Sequence, residues 1–483
     1  MLHRHVCRHT RVQPAEHGRS IDTFSNNLDE TAKKSEKGPS IPWTFSLSEL
    51  TIWNAKCGDI HGRFEMSQTL ATSVLTEQNR DGLPIATALK ARGSQRQLEL
   101  DALRGLMLVL MTLAHLPTHV QVVTNQQLGF VSEAEGFVFL SAFLTGRIFG
   151  RVAVESGFPT VIKRLWKRAL QLYGYHLALL GIAFTVIAVV AIHTGRPSLK
   201  GLLDFYLAHP HHAVGGALLL VYCPPLLDIL PMYIIFLLAT PVALYLAGRW
   251  SWKLVLIPSG LIWVLAQFGL RAAIHSHMVP SAGFQIPLNE MGAFDLLAWQ
   301  FLWAVGLWIG ADCPASVSNV LTSKMSVIAA LSVAAGVFLL RHPLLHVQFN
   351  GALWPALIDK WHLGGLRLLD FSSLAILFAV SRPWMARWLT IPPLVSLGKA
   401  SLEVFCAHLL FCFAAISLVG RGTHLRPSLQ LALIATCLIG LYAVARLSVR
   451  SPTLPGGRTK EMKMSLFSAN HPSRTHTNSG ALL

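Results

Sequence analysis

The chain has 483 residues, of which 52% are hydrophobic and only 13% are charged, and its mean hydropathy is +0.48. Soluble domains carry about 25% charged residues, so this composition excludes an ordinary soluble protein and indicates a polytopic membrane protein. The net charge of +16 does not indicate nucleic-acid binding, because the basic residues cluster beside apolar runs, as the positive-inside rule predicts. The cysteines form no CxxC pair, and no metal site is indicated.

The two ends of the chain differ from its middle. Residues 1–95 are polar, lack sustained hydrophobic periodicity and contain no apolar run typical of a signal peptide, so we expect a disordered cytoplasmic extension. Residues 449–483 are polar and basic, and we expect a cytoplasmic tail. The predicted membrane domain comprises residues 96–448.

Within this domain, apolar runs alternate with short polar breaks. The pattern predicts an all-α, polytopic protein with about ten transmembrane helices. The predicted spans are 104–122, 130–150, 169–193, 229–247, 254–270, 293–310, 324–341, 367–382, 393–418 and 428–447. The stretch 213–228 is apolar but broken by glycines and a proline pair, so we predict a re-entrant or interfacial segment.

The basic residues also predict an orientation. If the N-terminus lies inside, the inner flanks of the spans hold 20 Lys and Arg, and the outer flanks hold 8. Lys and Arg are enriched in cytoplasmic loops, so the sequence predicts that both termini are cytoplasmic.

The first span carries three ionisable residues. At about 100° per residue, Asp101, Arg104 and His115 fall within roughly 60° of one helix face, and His115 lies roughly 16 Å beyond Arg104. Ionisable groups in a bilayer are costly and therefore indicate a functional site, in which Asp101 and Arg104 are candidate substrate ligands. Arg104 is either a positive-inside anchor or an anion site, and His115 is either a hydrogen-bond donor between helices or a general base. Pro117 is expected to kink or end this helix.

The second span opens with two carboxylates. Ser132 and Glu135 match a capping box, which satisfies the exposed amides of a helix start. The short connection before this span favours an antiparallel neighbour, which would bring Glu133 and Glu135 towards the outer end of the first helix. A carboxylate there would orient a histidine and raise its basicity, so both are candidate catalytic residues with His115.

Further polar groups are candidate substrate ligands. The basic loop 147–168 suits either lipid headgroups or a phosphorylated cytoplasmic donor, and its basic residues are Arg147, Arg151, Lys163, Arg164, Lys167 and Arg168. Asp228 either binds sugar hydroxyls on the outer side or caps a helix, and Tyr233 lies one turn further on. The candidate donors to an oxyanion are Tyr222, Tyr233 and Gln300.

Five blocks in order resemble a known family. They are LELDALRGLMLVLMTLAHLP, FVSEAEGFVFLSAFLTGR, LLDILPMYIIFLLATP, FDLLAWQFLWAVGLWIG and SLGKASLEVFCAHL. The basic residue followed eleven positions later by histidine resembles the opening signature of the acyltransferase type 3 superfamily, and the fuller pattern resembles its OpgC branch. Together the blocks span residues 98–447.

The resemblance implies a multi-pass inner-membrane enzyme that transfers an acyl group, succinyl in this family, from cytoplasmic acyl-CoA to hydroxyls of a periplasmic glucan. It implies that His115 deprotonates the acceptor hydroxyl and that Arg104 lies near the CoA donor. No bound cofactor is implied, because succinyl-CoA is a substrate. The partners are the lipid bilayer, the donor and the glucan.

Two other functions are compatible with the residues alone. A transporter or flippase of a polar or acylated molecule would also need intramembrane histidine and arginine, and the broken 213–231 segment suits it. No evident repeat relates the two halves of the chain, which argues against this reading. A receptor or assembly protein with structural polar pairs is the other alternative.

Overall fold

The computed structural model describes residues 98–281, 286–342, 353–420 and 425–450, all within one compact unit. The predicted extension 1–95 and nearly all of the predicted tail 449–483 lie outside these ranges. Inside them every regular element is helical and no strand occurs, which confirms the all-α prediction.

The longer helices alternate with short ones. In chain order they are α1 (Leu98–His115), α2 (Val120–Thr124), α3 (Glu133–Ser156), α4 (Phe158–Ile182), α5 (Ala188–Thr194), α6 (Pro197–Ala208), α7 (Pro210–Leu218), α8 (Ile229–Arg249), α9 (Lys253–Gln267), α10 (Leu270–Ser281), α11 (Leu296–Asp312), α12 (Ala315–Leu321), α13 (Lys324–Arg341), α14 (Leu353–Ile358), α15 (Gly365–Leu389), α16 (Pro392–Lys399), α17 (Ser401–Val419) and α18 (Pro427–Arg450). A π-helical turn, Ala183–Ile187, joins α4 to α5.

Among the described helices, seven stretches are long and apolar enough to cross a membrane, or nine if two bent pairs each form one span. The bent pairs are α9 with α10 and α11 with α12, which turn by 84° and 118°. Helix α1 is not among them, because Glu99, Asp101 and Arg104 all lie within its eighteen residues. The total of about ten spans and the orientation of the termini stay predictions.

Several helix boundaries differ from the predicted ones; α4, for example, begins at Phe158, eleven residues before the predicted start at 169. The span predicted over 104–122 ends at His115, since Pro117 has no amide hydrogen to continue the helix. The span predicted over 393–418 is two helices, α16 and α17, separated by Ala400 at φ −102° and ψ 37°. The broken backbone predicted at 213–228 is observed, because α7 ends at Leu218 and residues 219–228 form no regular helix.

Glycines set the closest helix contacts. A Cβ added at Gly146 of α3 would lie 2.3 Å from the carbonyl oxygen of Leu307, and one at Gly310 of α11 would lie 2.0 Å from that of Phe143. Small residues let helix backbones approach closely, and this is a common basis of packing in membranes. A similar close backbone contact, at Gly105, joins α1 to α16. These contacts hold α3 against α11 and α1 against α16.

Candidate active site

A cavity of about 340 Å³ lies between α1, α3, α4, α8, α11 and α17. Three arginines line it: Arg104 from α1, and Arg164 and Arg168 from α4. Residues four apart on a helix share a face, which is why both arginines of α4 reach the same cavity. Most of the remaining wall is apolar or aromatic, so the cavity combines a cationic rim with a hydrophobic interior.

Hydroxyl groups meet Arg104 in this cavity. The guanidinium of Arg104 donates a hydrogen bond of 2.6 Å to Oγ of Ser401, which is the first residue of α17 because the chain breaks at Ala400. Tyr233, predicted to bind substrate, also lines the cavity, and its hydroxyl donates to the Phe137 carbonyl at 3.0 Å. The hydroxyl oxygen of Tyr233 retains acceptor capacity.

His115 lies beside a second histidine. Its ring centroid is 5.8 Å from that of His408, which is fully buried near the middle of α17. Nδ1 of His408 lies 2.6 Å from the Phe405 carbonyl, a contact that requires Nδ1 to carry the proton. In the neutral ring Nε2 is therefore an acceptor, and it has no hydrogen-bond partner among the residues that the structure describes. Although His115 ends its own helix, it is next to the middle of another.

One aromatic layer connects the histidine pair to the cavity. Phe405 lines the cavity, and its ring lies 4.9 Å from that of His408. Phe137, on α3, stacks on Phe405 with ring centroids 6.0 Å apart and also lines the cavity. Phe405 therefore contacts both the cavity and His408, and Phe137 packs against it.

The two predicted catalytic carboxylates are both buried at the start of α3. The backbone amide and hydroxyl of Ser132 donate to Oε2 of Glu135 at 3.0 and 2.6 Å, which confirms the capping box. Arg367 of α15 forms an ion pair with Oε1 of Glu135. Within the described ranges neither Glu133 nor Glu135 hydrogen-bonds His115, and their catalytic roles stay predictions.

Three other predicted ligands lie outside the cavity wall. Asp101 is buried on α1, where its carbonyl packs against Gly398 of α16. Arg147 lies near the ion pair between Arg382 and Glu99.

Asp228 accepts a hydrogen bond of 3.1 Å from the amide of Ala293, and burial raises the pKa of its carboxyl to about 6. Asp228 occupies the N-cap position of α8 without a side-chain capping hydrogen bond, and both interpretations of its role stay predictions. Of the candidate oxyanion donors, Gln300 is bound to Ser259 at 2.6 Å, and Tyr222 does not line the cavity.

His408 is a polar residue of the predicted span 393–418 to which the sequence assigns no role. It was visible as an ionisable side chain within an apolar run, which is the signal that identified His115. Arg164 and Arg168 were recognised only as members of a basic loop, and the structure separates them from Arg147, which does not line the cavity.

A family model described as OpgC protein matches residues 96–453, which include every described helix. No curated protein matches the chain, and no solved structure matches it. The family match covers most of the chain, and the described helices are apolar enough to span a membrane repeatedly. The chain therefore belongs to the OpgC family, which indicates a membrane acyltransferase for periplasmic glucans.

Proposed function

We propose that this protein transfers an acyl group, succinyl by family resemblance, from cytoplasmic acyl-CoA to hydroxyls of a periplasmic glucan at the inner membrane. The observation that carries the proposal is the course of α1. Arg104 on this helix lines the arginine-rimmed cavity, and His115 at its end meets His408 beyond the aromatic layer. One helix thus links a site for an anionic donor to a candidate general base.

The donor fits the arginine cavity by charge and shape. CoA carries several phosphate charges, and guanidinium groups bind phosphate oxygens with paired hydrogen bonds. Arg164 and Arg168 are exposed at the rim, where the nucleotide would bind, while Arg104 lies deeper against Ser401. The apolar interior suits the pantetheine arm, which is long and uncharged.

The transfer requires one proton to move. The imidazole of His115 takes the proton of the acceptor hydroxyl as its oxygen attacks the thioester carbonyl, which forms the ester after the C–S bond breaks. The CoA thiolate leaves and receives the proton from the imidazolium. His408 presents an acceptor nitrogen near His115, which supports a positioning role for it.

The arrangement also explains how the donor and the acceptor can approach from opposite sides of the membrane. CoA is anionic and does not cross a bilayer, whereas the glucan lies on the opposite side. Arg104 and His115 are eleven residues apart, about 16 Å along a helix, so donor and acceptor can enter from opposite ends and meet between them.

The test uses membranes that contain the protein, labelled succinyl-CoA and purified periplasmic glucan. His115→Ala is expected to lower acylation of the glucan about 100-fold or more, because general-base catalysis contributes this much. The matched control is His119→Ala, since the side chain of His119 is exposed and the hydrogen bonds that the structure gives this residue, to Gln430 and Val122, use its backbone. Both variants should be present in the membrane at wild-type levels.

Three outcomes of this assay would contradict the proposal. Undiminished acylation by His115→Ala would exclude His115 as the base. Label that stays wholly in succinyl-CoA with the wild-type protein would reject the reaction. Uptake of substrate into vesicles without acyl-CoA would instead identify a transporter.

A further inference from the structure

A second cavity, of about 330 Å³, lies at the opposite end of α3 from Arg164 and Arg168. Phe130, just before α3, lines it, whereas Arg164 follows the far end of that helix. Three cations line this cavity: Arg341 at the end of α13, Lys360 in the loop before α15, and Arg367 in the first turn of α15. The predicted orientation puts this end on the periplasmic side.

The deepest of these cations has unused hydrogen-bonding capacity. Arg367 is fully buried, and its Nε donates to Glu135. Its Nη1 is 3.5 Å from the Ile358 carbonyl, and Nη2 is buried with no acceptor in the described part of the chain. A buried guanidinium nitrogen without an acceptor is costly, and an oxygen atom of a ligand in the cavity would remove that cost.

The nearby carboxylates leave the cavity positive. Glu135 is already paired with Arg367, and Oδ2 of Asp370 accepts a hydrogen bond of 2.9 Å from the amide of Phe130. Asp359 is bound to His362 at 2.5 Å. The charges of Arg341 and Lys360 are thus not matched by an acidic residue that lines the cavity.

Aromatic rings complete the wall. Phe130 and Trp354 meet edge to face, with ring centroids 6.0 Å apart, and both line the cavity. The apolar face of an indole packs well against the C–H groups of a sugar ring, while its edge tolerates polar neighbours. Cations beside aromatic rings suit a sugar that carries a negative charge better than a neutral one.

We infer that this second cavity binds an oxyanionic substituent, a carboxylate or a phosphate, carried by the glucan acceptor. Nη2 of Arg367 donates to the oxyanion, Lys360 and Arg341 supply charge at the mouth, and Trp354 contacts the adjoining sugar ring. The inference rests on the proposed function for the identity of the polysaccharide. It adds that the acceptor is recognised as an acidic glucan by a site distinct from the donor cavity.

The experiment measures binding without any acyl donor. The full chain, in nanodiscs of phosphatidylcholine, is titrated with two glucan oligosaccharides of equal length, one neutral and one bearing carboxylates. The charged oligosaccharide should bind about tenfold more tightly at low salt, as expected for one charge-assisted hydrogen bond and two unscreened cations. At 1 M salt this preference should shrink, because the charges of the exposed Arg341 and the half-buried Lys360 are screened.

Substitutions of single cations test which residues cause the preference for the charged oligosaccharide. Lys360→Gln and Arg341→Gln should each reduce the preference, and they spare the buried ion pair of Arg367. The matched control is Arg387→Gln, an exposed cation in the last turn of α15, which should keep the full preference. Equal affinity for the two oligosaccharides, or a preference that survives both substitutions, would overturn the inference.

A lipid headgroup is the competing source of an oxyanion. If phosphatidylglycerol in the nanodiscs abolishes the preference of the wild-type protein, the cavity is a lipid site and the inference is wrong. A preference that persists in such nanodiscs supports it. Because no succinyl-CoA is present, these outcomes are independent of the acyl-transfer assay, and failure of one proposal is distinguishable from failure of the other.

Discussion

Glu135 ties the start of α3 to α15. Its carboxylate accepts hydrogen bonds from the amide and hydroxyl of Ser132, and it forms an ion pair with Arg367, with both charged side chains fully buried. Removing one partner of a buried ion pair leaves the other charge uncompensated, which costs far more than losing an exposed pair. A structural role therefore explains Glu135 without a catalytic one.

Glu135→Ala is expected to lower the free energy of unfolding by about 3–5 kcal/mol, because Arg367 stays buried without its counter-charge. Thermal unfolding of the purified protein in detergent measures this. Glu155→Ala, which changes an exposed carboxylate of the same helix, is the control and should have little effect. The double variant Glu135→Ala/Arg367→Met should be more stable than Glu135→Ala; if it is less stable, the ion-pair explanation fails.

The histidines show what can be recognised residue by residue. His115 is identifiable from sequence because it lies in an apolar run, eleven positions after Arg104. His408 satisfies the same criterion, but nothing local pairs it with a residue almost 300 positions earlier. Only the packing of α1 against α17 brings the two rings to 5.8 Å.

At the scale of elements, the contact between α3 and α11 positions one side of the arginine cavity. Ser141, Thr145 and Trp303 belong to these two helices and line it. The backbones of α3 and α11 approach so closely at Gly146 and Gly310 that a side chain at either position would collide with a carbonyl oxygen of the other helix. Backbone atoms cannot move aside as a flexible side chain can, so this contact tolerates no added methyl group.

Gly310→Ala is expected to destabilise the protein by about 1–3 kcal/mol, the usual cost of overpacking, although alanine is the better helix former. Size-exclusion chromatography after heating in detergent reports the fraction that stays folded. The control is Gly174→Ala, where a Cβ would meet nothing within 4 Å, and this variant should be at least as stable as the wild type. Equal stability of both variants would contradict the close contact.

The helix boundaries illustrate which elements the sequence predicts well. Pro117 was a visible reason for α1 to end, whereas the separation of α16 from α17 has no comparable local signal. Gly398 lies so close to α1 that a Cβ there would be 1.7 Å from the carbonyl oxygen of Asp101. The break at Ala400 comes two residues after this long-range contact, and Ser401, directly after the break, accepts a hydrogen bond from Arg104.

For the whole molecule, the outer surface is apolar along the helices. Large side chains such as Leu170, Val186 and Ile257 are 69%, 56% and 59% exposed, which suits contact with lipid rather than water. The second cavity lies at the start of α3, whereas Arg164 and Arg168 of the arginine cavity follow the end of that helix, and both cavities carry positive charge. The orientation of the bundle therefore decides which cavity faces the cytoplasm.

A reporter fused after residue 200 is expected to show a periplasmic location, and one fused after residue 251 a cytoplasmic location, because the basic residues flank the predicted inner ends. An alkaline phosphatase fusion, active only in the periplasm, makes the measurement. Both fusions should be checked for equal expression. The reverse pattern would invert the orientation and assign the arginine cavity to the outside.

The sequence by itself determined the membrane class, the approximate spans, the capping box and the pairing of Arg104 with His115 on one helix. These properties depend on composition, on hydrophobic runs and on the regular rise of a helix, all of which are local. Only the tertiary structure decided that Arg104 shares a cavity with Arg164 and Arg168, and that Arg367 neutralises Glu135. It also decided that His408 completes the surroundings of His115. Such pairings depend on which helices pack together, and no single segment encodes this because close backbone contacts need both partners.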